Sequence, residues 1–250
     1  MPDIEISRVD RIQILRLNRP TKKNALTATM YAALADAIQA GDALSDIAVH
    51  VILGSNGVFC AGNDIHDFLK TSEGNPGLGA DALRFIRLLP LVAKPLIAGV
   101  DGPAIGIGTT LLMHCDLVYA ADGAQFSTPF LNLGLVPEAA SSLLMPQRMG
   151  YARAFEMLVL GNTFSASQAR EAGLVNAVVP SSELEAAVMD AARRLAAKSA
   201  AALAAARRLM RGDVADIVQR VGEEAVAFKQ QLATPEAKAA FQAFLTKSQG

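Results

Sequence analysis

Tryptophan is missing from this 250-residue sequence, aromatic residues make up only 5% of it, and charged residues only 19%. A basic surplus is missing too. The 23 Lys+Arg stand against 24 Asp+Glu, a net charge of −1, which leaves nothing to attract a nucleic acid. Long apolar runs are also absent. The run Leu96–Val100 stops at Asp101-Gly102-Pro103, far short of the ~20 residues a membrane span needs, so no membrane partner is expected. Two cysteines, Cys60 and Cys115, are too few for a disulfide framework and read as small buried hydrophobes. His114, Cys115 and Asp116 are adjacent, a spacing that does not let them share a coordination sphere, and no metal is expected. Met1-Pro2-Asp3-Ile4-Glu5 has neither a basic nor an apolar leader region, and Lys247-Ser248-Gln249-Gly250 is not a peroxisomal address. A cytoplasmic location is therefore expected.

What is present is apolar bulk. At 52% hydrophobic, the chain can bury enough surface to offset its ordering entropy, and its length suits one large domain or a domain with an appendage. Of 46 alanines, 26 lie in the last 100 residues. Small side chains on helices allow close packing against other helices or other subunits, so an oligomer is expected. Alternation over Ile4–Leu17 around a turn at Arg8–Arg11 predicts a hairpin. Thr27 caps an amphipathic helix carrying Met30, Leu34, Ala37 and Ile38. Buried strands are predicted at Val49–Leu53, Pro95–Val100, Leu117–Tyr119, Gln125–Ser127 and Val175–Val179. Thr71–Ala80 reads as a loop and Leu83–Leu89 as a helix. Pro137 is expected to open a helix, and the pairs Ser165/Gln168 and Ser182/Glu185 have capping-box spacing. Strands alternate with helices to about position 180 and no strand signal follows. This predicts an α/β core over residues 1–181 and an all-helical segment over 182–250.

Three segments carry candidate chemistry. In Phe59-Cys60-Ala61-Gly62-Asn63-Asp64-Ile65 a glycine lies between a strand and a helix, where backbone can approach a ligand and N–H groups are free. An ordinary strand-to-helix turn accounts for the same pattern. Val100-Asp101-Gly102-Pro103-Ala104-Ile105-Gly106-Ile107-Gly108-Thr109-Thr110 is a second such turn. Its Gly-x-x-x-Gly-x-Gly spacing is neither a dinucleotide fingerprint nor a P-loop. Two turns that each offer a backbone N–H can together form an oxyanion hole. In the third segment, Thr128–Ser142, Glu138 is the only ionisable residue between Asp122 and Arg148. It is either a helix-start carboxylate favoured by the macrodipole or an acid/base catalyst. Apolar burial would raise its pKa and a helix N-terminus would lower it.

Together these segments resemble the crotonase (enoyl-CoA hydratase/isomerase) superfamily. The resemblance spans Leu17-Asn18-Arg19-Pro20 with Asn24-Ala25-Leu26, Phe59–Asp64, Gly102–Asp116, and Phe164-Ser165-Ala166 with Ala169 and Gly173-Leu174-Val175. It implies a superhelix of ββα turns with a C-terminal helical trimerisation segment, assembled as a homotrimer or a dimer of trimers. It also implies an acyl-CoA thioester substrate and no separate cofactor. By position, the thioester oxygen would be held by the N–H groups of Asn63 and Ile107. Hydratases of the family resemble one another in using two glutamates. The corresponding positions here are Thr110 and Phe130. The third segment instead resembles that of the Δ3,Δ2-enoyl-CoA isomerases, whose single catalytic glutamate sits where Glu138 does.

The resemblance therefore implies isomerisation, with Glu138 moving a proton from C2 to C4 while Asn63 and Ile107 hold the dienolate oxygen. Ala61, Gly62, Asn63, Asp64 and Ile65 would meet the CoA adenine, and Ile107-Gly108 the thioester. Phe130, with Leu131, Leu133 and Leu135, would wall the acyl pocket. Lys23, Lys22 and Lys247 are candidates for the CoA phosphates. Hydration or another reaction of the superfamily is the alternative, and non-catalytic acyl-CoA binding is a second.

Overall fold

The structure, a computed structural model, describes residues 2–72 and 79–247, with 69–72 and 244–247 as backbone only. Nine strands run in chain order as β1 (Ile4–Val9), β2 (Ile12–Leu17), β3 (Val49–Leu53), β4 (Leu96–Val100), β5 (Pro103–Ile105), β6 (Leu117–Ala121), β7 (Gln125–Ser127), β8 (Phe164–Ser165) and β9 (Ala177–Val179). The helices are α1 (Ala28–Ala43), α2 (Ile65–Ser72), α3 (Gly79–Leu88), α4 (Ile107–Thr110), α5 (Ser141–Met149), α6 (Tyr151–Phe155), α7 (Ala166–Glu171), α8 (Ser181–Ala196), α9 (Ala200–Arg211), α10 (Ala215–Leu232) and α11 (Pro235–Lys247). The larger sheet has the order β1-β2-β3-β4-β6-β9 and the smaller one β5-β7-β8. Only the β1–β2 pair of the larger sheet is antiparallel. This is the α/β core with a helical C-terminal segment that the sequence predicts.

The predicted hairpin is β1–β2, closing at Asp10, whose φ of 54° gives the left-handed turn. The inner strands β3 and β4 are buried along their whole length, which is why their sequences are apolar on both faces. One face packs on α1 within the main core. On the other, Leu184, Val188, Met189 and Ala192 of α8 cover Ile12, Ile14, Val51 and Ile97. Gly99 of β4 lets α8 come this close: a Cβ there would lie 2.9 Å from Val188. The Ala-rich segment after residue 181 thus begins by completing the core.

Several predicted details differ. Pro137 does not open a helix. The next helix starts at Ser141, because Ala139 and Ala140 both adopt left-handed φ, 58° and 56°. The Ser182/Glu185 capping box does not form. Pro180 occupies the cap position, Ser181 Oγ donates to Asp101, and Glu185 pairs with Arg16 at 2.7 Å. The Ser165/Gln168 box and the Thr27 cap do form. Of the predicted loop Thr71–Ala80, both described ends are helical, and residues 73–78 lie outside the described residues. Short strands β5 and β8 escaped the sequence reading.

The two glycine turns are fixed against each other by strand-like pairing. Cys60 bridges Ala104 in parallel: Cys60 N donates to Pro103 O at 3.0 Å and Ile105 N to Cys60 O at 2.8 Å. Three residues further along each strand, this register arrives at Asn63 and Ile107. Gly62 at φ 92° and Gly106 at φ 57° turn the two chains at the same level. Packing here leaves no room: a Cβ on Gly108 would lie 2.8 Å from Cys60 O. Gly108→Ala is expected to cost about 1–3 kcal/mol through overpacking, lowering the thermal midpoint by several degrees. An unchanged calorimetric midpoint would contradict this packing.

Candidate active site

The carbonyl of Gly62 and the N–H of Asp64 both bond to Leu26, completing a parallel bridge between Leu26 and Asn63. With its neighbours turned toward Leu26, the Asn63 N–H points the other way. Ile107 is the first residue of α4, so its N–H has no acceptor within the helix. Neither N–H donates to a backbone carbonyl among the described residues. The Asn63 side chain is occupied: its Oδ1 accepts a short hydrogen bond from the hydroxyl of Tyr31 on α1, whose ring packs on Phe85 at 5.5 Å. The side-chain oxygen of Asn63 is thus held by Tyr31, while its backbone N–H has no backbone acceptor among the described residues.

A cavity of about 560 Å³ opens beside Asn63. Its polar lining includes Asn63, Glu138, Glu224 and Lys229. The apolar wall comes from Phe68 of α2, Leu83 and Ile86 of α3, and Val221, Phe228 and Leu232 of α10. Phe68 stacks on Phe228 and Phe241 at 6.0 and 5.6 Å, which ties α2 to the two C-terminal helices. Phe130, Leu131, Leu133 and Leu135, expected as the wall, do not line this cavity. Phe130 is buried in the main core and Leu131 is 42% exposed on the outer surface.

Glu138 is buried, with 7% of its surface exposed. It stands ahead of α5, not in its first turn, so the macrodipole reading is overturned. Burial pushes its carboxyl up to about 8, opposed by a hydrogen bond from Thr110 and reinforced by the nearby Glu224 carboxylate. The Thr110 hydroxyl donates this short bond to Oε1, leaving Oε2 for other work. Thr110 thus occupies one of the two positions where the hydratases of the resemblance carry a glutamate, and there it orients the carboxylate that remains.

The other predicted residues fall into two groups. Ala61, Gly62, Ile65, Ile107 and Gly108 form the paired turns themselves. Asp64 serves the fold. Burial raises its carboxyl, but Arg19 at 2.7 Å and the N–H groups of His66 and Asp67 outweigh that and hold it below its usual range. Lys23 caps the 3₁₀ turn Pro20–Lys22 with a left-handed φ of 50° and is exposed. The Lys247 side chain lies outside the described residues. Burial pushes both cysteine thiols up to about 12, so neither is a thiolate nucleophile. Sequence reasoning missed Tyr31 and Glu224. Glu224 did leave a signal, a carboxylate on the apolar face of α10 between Val221 and Phe228.

Comparison with known proteins agrees with this geometry. A family profile described as enoyl-CoA hydratase/isomerase matches residues 8–250. Rat (Rattus norvegicus) enoyl-CoA delta isomerase 2 is 37% identical over 214 residues, 84% of this chain and 54% of that protein. The chain spans about half the length of that relative. The 2,3-dehydroadipyl-CoA hydratase of Escherichia coli (strain K12) is 32% identical over 254 residues, 99% of this chain and 97% of that protein. Among solved structures, Pseudomonas aeruginosa OdaA superposes with a TM-score of 0.93 at 40% identity, covering 98% of this chain and 99% of that one. Among the described residues no helix is long and apolar enough to cross a membrane. With the paired glycine turns and a profile match over nearly its whole length, the chain belongs to the enoyl-CoA hydratase/isomerase family, the crotonase superfamily.

Proposed function

We propose that the protein is an enoyl-CoA isomerase that moves a double bond from the 3 to the 2 position of an acyl-CoA. The observation that carries this reading is the buried Glu138 carboxyl oriented by Thr110; by the resemblance, Thr110 and Phe130 stand where hydratases carry their two glutamates. The thioester oxygen sits on the N–H groups of Asn63 and Ile107, which stabilise charge that develops there as the C2 proton leaves. Oε2 of Glu138 takes that proton and returns it at C4. A base with a pKa near working pH can both accept and release a proton. The apolar wall keeps water from the intermediate. Ala61–Ile65 meets the CoA adenine and Lys22 and Lys23 its phosphates; CoA belongs to the substrate, and no further cofactor takes part. Hydration is the second reading, favoured by one observation, the second carboxylate of Glu224 in the same cavity.

Conjugated-thioester absorbance separates the readings. It is expected to rise with a 3-enoyl-CoA and to stay level with a 2-enoyl-CoA; loss from the second substrate supports hydration, and no change with either supports binding alone. Glu138→Gln is expected to remove about 10²–10⁴-fold of the turnover while the Kd for a CoA thioester stays within a few-fold. Retained turnover would contradict the assignment. Since the base must be ionised, kcat/KM is expected to rise with pH through about 8. Thr110→Val removes the donor that stabilises the anion, so the rise is expected to shift to higher pH. At pH 7.5, kcat/KM should fall about 10-fold. A profile that does not move would show that Thr110 does not act on the base.

The reading includes assembly as a trimer or a dimer of trimers. No residue of α9 is buried within the chain, and Leu209 and Met210 are 80% and 88% exposed. Light scattering is expected to give three or six copies of the 26.2 kDa chain; a monomer would contradict it.

A further inference from the structure

Glu138 is followed by two alanines in a conformation that L residues avoid. Ala139 and Ala140 have φ of 58° and 56°, where the Cβ crowds the backbone. Such strain persists only where the surroundings over-determine it. Here it is held from both sides. Beneath the turn, His114 Nε2 lies 2.8 Å from Ala139 O. Because a carbonyl only accepts, this nitrogen carries the proton. Burial pushes the ring down to about 4, so it stays neutral. From above, Glu224 reaches out of α10 and accepts from Ala140 N at 2.6 Å and from Ser142 N at 2.9 Å. Helix α5 has no side-chain cap of its own, so a residue more than 80 positions away supplies the acceptors its first N–H groups lack.

We propose that Glu224 is a positioning residue for Glu138: its carboxylate fixes the left-handed Ala139–Ala140 turn that aims Glu138 into the cavity beside Asn63. Both Glu224 oxygens are engaged by backbone N–H groups, which makes it an anchor and not a proton carrier. The surroundings of the pair are defined. Glu138 faces Thr110 on α4, Tyr31 on α1, Cys60 in the first turn and Glu224 on α10. Glu224 faces Ser142 on α5, Arg220 on its own helix and Glu138; Lys229 lines the same cavity. Arg148 and Arg211 act on His114 below. Within this set Glu224 is the one other carboxylate acting on Glu138 among the described residues. Neutralising it therefore favours the ionised form of Glu138.

The inference rests on Glu138 as the base, and its test includes a readout that needs no substrate. Infrared titration follows the protonated carboxyl band that disappears in Glu138→Gln. In Glu224→Gln the midpoint of that band is expected to move to lower pH. With a 3-enoyl-CoA, kcat is expected to fall about 10-fold with KM changed less than about twofold. Adding Ala140→Gly, which removes the penalty for left-handed φ, is expected to restore most of the kcat. A substitution that only loosened the fold would lower the thermal midpoint without moving the infrared midpoint. Unchanged titration and turnover in Glu224→Gln would overturn the proposal, as would failure of Ala140→Gly to restore kcat. If Glu224→Gln alone does not fold, the double variant carries the test: folding with an aimed, titrating Glu138 supports the proposal, and failure to fold overturns it. A wild type in which the band titrates near 8 but no 3-enoyl-CoA turns over refutes the isomerase reading. Glu224 is then still judged by the infrared shift.

Discussion

Keeping one carboxyl group out of water is the constraint on which the rest of this structure depends. A buried carboxylate is expensive to ionise, and among the described residues Glu138 is given one hydrogen-bond donor, the Thr110 hydroxyl. One donor is enough to orient the group without extinguishing its basicity. More donors would pull its pKa down toward that of a spectator such as Asp64, where Arg19 and two backbone N–H groups hold the charge permanently. The two acids have opposite fates: burial dominates at Glu138, whereas the Arg19 guanidinium and backbone N–H groups outweigh it at Asp64.

That constraint explains why the C-terminal helices matter to the chemistry. Apolar residues of α10 line the cavity, and the stack of Phe68 with Phe228 and Phe241 fastens α2 to the C-terminal helices. The same helix delivers Glu224 to the turn beside Glu138. The N–H pair, by contrast, belongs to the scaffold, since it follows from the Cys60–Ala104 register and from glycines that accept left-handed φ. Relatives with isomerase, hydratase and dehalogenase names fit such a division. On the proposed reading, a shared scaffold would hold the thioester while the groups placed around it select the reaction.

The local parts of this arrangement were legible in the sequence. Both glycine turns, the α/β alternation and Glu138 as the only ionisable residue between Asp122 and Arg148 are short-range patterns; the meaning of Thr110 and Phe130 came from the family resemblance. What was misread depended on partners distant in the chain. Pro137 carries a helix-start signal, yet Glu224 and His114 hold the next residues left-handed and delay the helix to Ser141. Ser182 and Glu185 have the right spacing for a cap, but Pro180 takes the position and Arg16 takes Glu185. Phe130 and its leucines were apolar neighbours of Glu138 in sequence. The wall is built instead by α3 and α10, which no local pattern connects to it.

The central claim is that one shielded carboxylate carries the proton from C2 to C4. The most direct measurement is isomerisation of a 3-enoyl-CoA deuterated at C2, run in ordinary water with the product read by mass spectrometry and NMR. A single base behind an apolar wall predicts that a measurable share of the deuterium reappears at C4. A C4 hydrogen drawn wholly from solvent, or a product with water added across the double bond, would contradict the account.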